Sequence, residues 1–454
     1  MSALLNEKSP GIPPVLLREW TTTGPADDPV LANCRPFTPE EADRVANLAR
    51  LGRVQVLEVR GGLRVTTRSY VGILPLGPVT LHIRPKLAGL NAPAMAALLR
   101  YALGLDALDR DPGPADAPME EAGFADLLAL VLLGEVNVLL RAGLLRDYET
   151  LSGWRSAPRG KLNITELARH PLRARTTFAV PCRYAERTAN NPLNRLLVAT
   201  LNALRPLVSD NGVTFDLHAR AALLEELCTA VSLTEGLWAE AAADLDRRSQ
   251  HYRPLVEIAA LVLAGLGLTV DEAGYLAPLG GFLLDMNRLF EQAVARLLVE
   301  YAAPTLRVTA QDQRDTAYRW ATNPHNWRRP RLRPDLVITD AVTGAPRLIL
   351  DTKYKPLGTV RPSPADLYQL TLYSLSFGAS GQFVPARIVY PNDSALGVEG
   401  CIHNAPRLDF YGMAGQGVQA TVDIFGLSVS VLTAALRAGN VMQLRAIADT
   451  LLSV

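Results

Sequence analysis

The order of helical and extended segments in the last third of the chain constrains the fold most. Amphipathic patterns predict helices over Phe282–Tyr301, Pro364–Phe377 and Ser428–Leu452. Between them lie apolar, β-branched runs of strand length. These predicted strands are LRVTAQ, LRPDLVIT, RLILDTKYK, ARIVYP and TVDIFGL. A helix, three strands, a helix and a further strand predict an α/β unit with a central mixed sheet flanked by helices.

The preceding residues have different patterns, so the chain as a whole reads as α+β. Alternating residues with glycine-centred turns predict a small antiparallel β unit in the N-terminal domain, residues 1–90. A mostly helical middle region spans 91–254, with an extended excursion near 148–187 and a capped helix beginning at Asn191-Pro192. The last domain, 255–454, has a soft boundary because no Pro/Ser-rich linker precedes it.

Charge and cysteine content narrow the environment. The net charge is only +1, but residues 140–206 carry 12 basic and four acidic side chains, and residues 207–300 carry six basic and 14 acidic ones. Opposite local charge suggests separate tasks, although solvated helix faces would look similar. The four dispersed cysteines disfavour a zinc site or a disulfide framework and favour a reducing cytoplasm. No segment has the pattern of a signal peptide or a membrane span.

Charged residues occur at the ends of two neighbouring predicted strands. Asp335 lies inside the predicted apolar strand LRPDLVIT, whereas Asp351 and Lys353 follow the apolar run of the next. Strand side chains alternate between faces, so Asp351, Lys353 and Lys355 are predicted to share one face. Two carboxylates and an ammonium suit a site for Mg²⁺, with Mn²⁺ as an alternative, in phosphodiester hydrolysis. The alternative is a strand-end salt bridge.

Two flanking helices extend this pattern. Glu291, on the helix before the strands, is a candidate third acidic ligand, or equally a surface carboxylate of an amphipathic helix. Gln369 and Tyr373 are four residues apart on the following helix and share a face.

These ordered parts resemble the PD-(D/E)xK nuclease superfamily. More narrowly, LRPDLVIT, LILDTKYK and DLYQLTLYS resemble the C-terminal half of McrC, the nuclease subunit of 5-methylcytosine restriction systems. RGKLNITE and YAERTANNPLNRLLVATL resemble the middle of that family, so the resemblance covers about 93–454. It implies a PD-(D/E)xK core with catalytic Asp335, Asp351, Lys353, Gln369 and Glu291, of which the three acids are metal ligands.

The resemblance also implies a partner. McrC-like proteins associate with a ring of AAA+ GTPase subunits, McrB, stimulate its nucleotide hydrolysis and cleave DNA. No P-loop pattern occurs in this chain, so nucleotide dependence should come from the partner. The matching docking segment is Tyr148–Arg187, with candidate contacts Trp154, Arg155, Arg159 and Lys161. The alternative is that this basic segment binds DNA phosphates.

Basic residues near the acidic cluster are candidates for docking the DNA backbone, although a solvated loop would look similar. They are Arg329, Arg331, Arg333 and Lys355. The leading hypothesis is thus a cytoplasmic, Mg²⁺-dependent endonuclease subunit acting on modified double-stranded DNA. The alternatives are an activator or scaffold of an AAA+ ring that does not cleave, and a stand-alone nuclease of another defence or repair system.

Lysine is rare in this chain. Only five of the 46 basic residues are lysines, and Lys86, Lys161, Lys353 and Lys355 all fall in segments singled out above for other reasons. The motif accounts for Lys353, because a compact ammonium suits a metal-bound phosphate. Lys86 and Lys161 have no such account from the sequence.

Overall fold

The computed structural model divides the chain into two compact units. The first contains Leu128–Pro278, and the second joins Glu7–Leu127 to Leu279–Val454. The boundaries at residues 90 and 254 remain predictions. The residues described are 14–87, 90–104, 124–208, 210–266, 282–310, 322, 325, 332–355, 361–378, 382–392, 402–411 and 417–453.

Six short strands and three helices begin the second unit. Their bounds are β1 (Val15–Arg18), β2 (Thr22–Thr23), α1 (Pro29–Ala32), α2 (Pro39–Arg50), β3 (Val54–Val59), β4 (Gly62–Thr67), β5 (Tyr70–Pro75), β6 (Thr80–Arg84) and α3 (Ala92–Ala102). A capping box between Thr38 and Glu41 starts α2. Gly61, with φ of 91°, supplies the left-handed backbone that the β3–β4 turn needs.

The predicted antiparallel β unit is two sheets, and one of them recruits a distant strand. One sheet has the antiparallel order β2-β4-β3. In the other, β1 pairs with β6 in parallel, and β6 continues through β5 to β10, Phe282–Asp285. The prediction of one helix over Phe282–Tyr301 is therefore wrong at its start. The first three residues of FLLD are apolar, and their side chains are buried in the sheet before the helix begins at Met286, with Asp285 as its N-cap.

The first unit is mainly helical and carries one small sheet. Its bounds are α4 (Phe124–Ala142), which starts before the unit, β7 (Asp147–Arg155), β8 (Lys161–Leu162), α5 (Ile164–Arg169), α6 (Pro171–Thr177), β9 (Val180–Thr188), α7 (Pro192–Leu204), α8 (Asn211–Glu225), α9 (Glu235–Ala243) and α10 (Arg253–Leu266). Short 3₁₀ turns lie at Arg205–Leu207 and Gln250–Tyr252. The predicted extended excursion is confirmed as the antiparallel sheet β7-β9-β8. The helices α5 and α6 within it were not predicted.

The asparagine-rich start of α7 is a buried hydrogen-bond network. Asn191 caps the helix through the amide of Asn194, as predicted. The Asn194 side chain donates to the carbonyls of Leu145 and Ala189 and accepts 2.6 Å from the Tyr252 hydroxyl. These asparagines therefore stabilise the fold of this unit, because each buried polar atom gains a partner.

The last part of the second unit confirms the predicted mixed sheet. Its elements are α11 (Met286–Tyr301), β11 (Leu306–Ala310), β12 (Leu336–Asp340), β13 (Pro346–Thr352), α12 (Pro364–Phe377), β14 (Ala386–Asn392), β15 (Ile402–Tyr411), β16 (Val418–Ser428), α13 (Val429–Arg437) and α14 (Val441–Leu452). The sheet order is β11-β12-β13-β14-β16-β15, with parallel pairs at β13–β14 and β14–β16. The predicted closing helix is broken at Gly439, whose φ is 60°.

Helix α12 covers one face of this sheet. Leu370, Tyr373 and Phe377 pack on Ile349 and Ile388 in a shared apolar core. In the described part of the chain, no helix combines the length and apolar character needed to cross a bilayer.

Candidate active site at the strand ends

The carboxylates predicted from the sequence lie at neighbouring strand ends. Strands β12 and β13 are antiparallel, with Leu336 opposite Leu350. Asp335, one residue before β12, therefore lies beside Asp351, the penultimate residue of β13. The two acids belong to different strands, and the register of the pair brings them together.

Thr352, the residue after Asp351, holds the carboxylate of Asp335 in place. Its Oδ2 accepts from the Thr352 amide at 2.7 Å and from the Thr352 hydroxyl at 2.8 Å. One oxygen of this half-buried carboxylate is thus committed to hydrogen bonds that hold its orientation. Thr352 points to the opposite face in an ideal strand, and the sequence pattern alone did not assign it this role.

Asp351 and Lys353 form a close ion pair. Asp351 is 1% exposed, and its Oδ2 lies 2.6 Å from Lys353 Nζ. Burial and then the negative charge of Asp335 raise the pKa of Asp351 to about 6, against the opposing effect of Lys353. Burial works to lower the pKa of Lys353, but the carboxylate of Asp351 outweighs it and the pKa is raised. Lys353 is therefore a charged ammonium at neutral pH.

Lys355 has a different partner. Its Nζ lies 2.9 and 2.7 Å from the two carboxylate oxygens of Asp366, which also accepts from the Ser363 hydroxyl at the start of α12. Burial opposes ionisation of Asp366, yet Lys355 and Ser363 outweigh it and lower its pKa. The Lys355 ammonium therefore ties the loop after β13 to α12. Its predicted role in DNA binding remains a prediction.

The two helical candidates occupy half-buried positions. Gln369 donates to the Tyr373 hydroxyl at 2.8 Å, which confirms that these residues share a face of α12. Glu291 lies on α11, as predicted. Among the described residues, no three His, Cys, Asp or Glu side chains are grouped as a metal site would require. The metal role of Glu291 therefore remains a prediction.

The donor set suits a hard divalent cation. Asp335 and Asp351 present carboxylate oxygens side by side, and Lys353 supplies one positive charge against two negative ones. Mg²⁺ is commonly held by one or two carboxylates, with water and substrate phosphate as its other ligands. Burial, and after it the negative charge of Asp335, raises the pKa of Asp351, and a bound cation would offset both effects.

The basic segment Tyr148–Arg187 is built differently. Its arginines stack on aromatic rings: the guanidinium groups of Arg155 and Arg159 lie 4.7 and 5.1 Å from the centroid of Tyr184, and that of Arg173 lies 4.9 Å from Trp154. Arg155 Nε also donates to the Tyr184 hydroxyl at 2.9 Å.

A basic and a large apolar side chain are among the exposed residues of this segment. Lys161 is exposed, and Phe178, at φ of 50°, is 85% exposed.

Of the predicted DNA-docking arginines, Arg333 is an exposed residue two positions before Asp335. Arg329 and Arg331 lie outside the described residues.

Comparison with known proteins places the chain among restriction-system components. It belongs to the McrBC 5-methylcytosine restriction system component family, whose profile matches residues 65–391. This confirms the McrC-type resemblance noted from the sequence. No curated protein matches the chain.

Two solved structures are similar in fold. One is a chain of a refined half-complex from a tetradecameric assembly of Thermococcus gammatolerans McrB AAA+ hexamers with bound McrC. It is 17% identical with a TM-score of 0.57, and the match covers 95% of this chain and 100% of that one. The other is from the Thermococcus gammatolerans McrBC complex, at 18% identity and a TM-score of 0.43, with 64% and 88% coverage.

Proposed function

We propose that this chain is the DNA endonuclease subunit of a modification-dependent restriction complex, with a PD-(D/E)xK core. The observation that carries the proposal is the Asp351–Lys353 ion pair beside Asp335 at the ends of adjacent strands. Membership of the McrBC family supports a restriction role.

Asp335 and Asp351 would hold the metal ion, with Glu291 as a proposed third ligand. When bound, Mg²⁺, or Mn²⁺ in its place, polarises the phosphoryl group and lowers the pKa of its water. Asp335 suits this role because Thr352 fixes one of its oxygens and sets the direction of the other. Burial of Asp351 keeps competing water away and strengthens its interaction with a cation.

Lys353 has the chemistry of the catalytic lysine. Its ammonium is held at one carboxylate and can donate to an attacking water or to the charge that develops on the phosphoryl oxygens. Gln369 supports the site from α12. Arg329, Arg331, Arg333 and Lys355 are the proposed contacts to the DNA backbone, where arginine and lysine neutralise phosphates.

We further propose that an AAA+ GTPase ring of the McrB kind is the partner. The similar chain of known structure comes from an assembly of McrB AAA+ hexamers with bound McrC. Trp154, Arg155, Arg159 and Lys161 are the proposed contacts. Stacking on Tyr184 orders two of these arginines before binding, which lowers the entropy lost on docking.

The test is cleavage of methylated duplex DNA by the full chain with its AAA+ partner, GTP and Mg²⁺. Asp351→Ala and Lys353→Ala should abolish cleavage but retain stimulation of the partner's GTPase. Asp340→Ala, a matched control at the other end of β12, should cleave normally. Full cleavage by both site variants would overturn the proposal. Stimulation without any scission by the wild type would favour a non-cleaving activator.

A further inference from the structure

Tyr354, between the two lysines of the motif, is the centre of a tight turn. Strand β13 ends at Thr352, and the Lys353 amide still bonds to the Val389 carbonyl of β14 at 2.9 Å. The Lys355 amide then donates to the Lys353 carbonyl at 2.7 Å, which closes a three-residue turn. The backbone of Tyr354 therefore decides how the catalytic lysine leaves the sheet.

The Tyr354 side chain is held by two residues from the start of the chain. It is 2% exposed, and its hydroxyl donates to Glu19 Oε1 at 2.6 Å. Lys86 Nζ lies 4.1 Å from the centre of its ring and donates to its backbone carbonyl at 3.2 Å. One ammonium thus fixes both the ring and the main chain of Tyr354.

Backbone hydrogen bonds hold Glu19 and Lys86 in place at the ends of two paired strands. Glu19 and Lys86 follow the parallel strands β1 and β6, and the Glu19 amide bonds to the Arg84 carbonyl at 3.0 Å. The Lys86 amide donates to the same Glu19 oxygen that accepts from Tyr354, at 2.8 Å. The arrangement is fixed before any substrate binds.

The same sheet also reaches the helix that carries Glu291. Its edge strand β10 leads directly into α11, and the Met286 amide bonds to the Ser69 carbonyl at 2.9 Å. Phe290 of α11 packs against Tyr354, with ring centres 6.0 Å apart. A single sheet therefore sets both the turn beside Lys353 and the start of α11.

We propose that Tyr354 is a positioning residue for Lys353, and that Glu19 and Lys86 hold it in register. These three residues are named the anchor cluster. The proposal rests on the proposed nuclease function. It makes the sheet β1-β6-β5-β10 part of the structure that positions the catalytic lysine. It also gives Lys86 a reason to be lysine in an arginine-rich chain, because a compact ammonium reaches a ring face and a carbonyl together.

The first measurement is single-turnover cleavage by the full chain with its AAA+ partner. Tyr354→Phe and Lys86→Met should lower the maximal rate about tenfold or more, since small misplacements of a catalytic group are costly. The DNA concentration for half-maximal rate should not change. Tyr101→Phe is the matched control, because it removes a buried tyrosine–glutamate hydrogen bond to Glu300 away from the strand ends.

The second measurement needs no cleavage. With only five lysines in the chain, acetylation of each can be followed by mass spectrometry at one fixed pH. Losing the anchor should free Lys353 from Asp351 and raise its acetylation rate about fivefold, the scale of a weak ion pair. Lys8 and Lys161 serve as internal standards, and Tyr101→Phe should leave the Lys353 rate unchanged.

A conservative pair of substitutions separates positioning from general damage. Glu19→Gln keeps an oxygen acceptor for the Tyr354 hydroxyl, whereas Glu19→Ala removes it. Glu19→Gln should therefore recover most of the activity that Glu19→Ala loses.

Each outcome decides between the two proposals. If the wild type does not cleave but Lys353 acetylation responds as expected, the nuclease function fails and the positioning of Lys353 stands. Unchanged cleavage and unchanged Lys353 acetylation in Tyr354→Phe and Lys86→Met would overturn the anchor cluster.

Discussion

The strand-end site and the basic segment use charge in opposite ways. Asp351 and Lys353 lie at the end of β13, whose central residues are all buried, and their charges are held 2.6 Å apart in one ion pair. Strand β7 of the basic segment has no fully buried residue, and its exposed Arg155 lies over the ring of Tyr184. The first arrangement gives precise placement, as chemistry requires, whereas the second leaves a contact area available for a partner.

Metal removal should separate the two regions most strongly. Chelation by EDTA is expected to lower DNA cleavage about a thousandfold or more, the scale of losing electrostatic stabilisation of a transition state. Binding of the AAA+ partner should not change, because the contacts proposed for the basic segment involve no metal. Gel-based cleavage and interferometry would measure the two effects. If EDTA reduced DNA cleavage and partner binding equally, the two regions would not differ in their need for a metal.

Exchanging lysine for arginine tests placement against charge. Lys353→Arg keeps the positive charge but not the compact ammonium, so cleavage should fall about a hundredfold. The same exchange at the exposed Lys161 should leave partner affinity within error. Cleavage rates and titrations of the partner would measure this pair. A wild-type rate for Lys353→Arg would mean that charge alone suffices at the site.

An exposed aromatic residue tests the partner surface. Phe178→Ala should weaken partner binding about tenfold, the size of an interface hot spot, and leave the unfolding temperature unchanged because the ring is 85% exposed. Val342→Ala, at an exposed turn of the second unit, is the control. Unaltered partner affinity for Phe178→Ala would remove this ring from the docking surface.

The last prediction concerns the stability of the protein, which should depend on pH through the buried carboxyl group of Glu19. Burial raises the pKa of Glu19 to about 7 from 4.5, so the native state holds its proton longer than the unfolded state. Stability from this group is present below pH 4.5 and is lost as the pH rises through 7. Glu19→Gln should abolish this loss, about 3 kcal/mol by pH 8. Urea unfolding of both proteins at pH 4.5 and pH 8 would measure it. If the unfolding free energies of the two proteins changed equally between pH 4.5 and pH 8, the raised pKa of Glu19 would be contradicted.

Local patterns predicted the elements that carry chemistry. LRPDLVIT and RLILDTKYK are short apolar runs rich in β-branched residues, which favour strands, and α12 begins at Pro364 as predicted. Asp335, Asp351 and Lys353 therefore came from sequence alone. Strand β15 was missed because polar residues and a proline interrupt the apolar residues of IHNAPRLDFY, as suits the edge of a sheet.

Long-range contacts were beyond the sequence. Glu19 and Tyr354 are 335 positions apart, and no local periodicity relates them. Likewise, FLLD is too short to distinguish a strand from the first turn of a helix, and its pairing with β5 decided the matter. The scarcity of lysine was the one signal that pointed to Lys86, without indicating its partner.

The pairing of β10 with β5 has a consequence for synthesis. Phe282 pairs with Ile73, so the sheet β1-β6-β5-β10 stays incomplete until β10 has been synthesised. About two hundred residues leave the ribosome in between, which takes roughly 10 to 40 seconds of translation. The first unit, with the basic segment, is made within that interval. The ribosome therefore completes the basic segment before it releases the edge strand β10 and the strand ends that carry Asp335, Asp351 and Lys353.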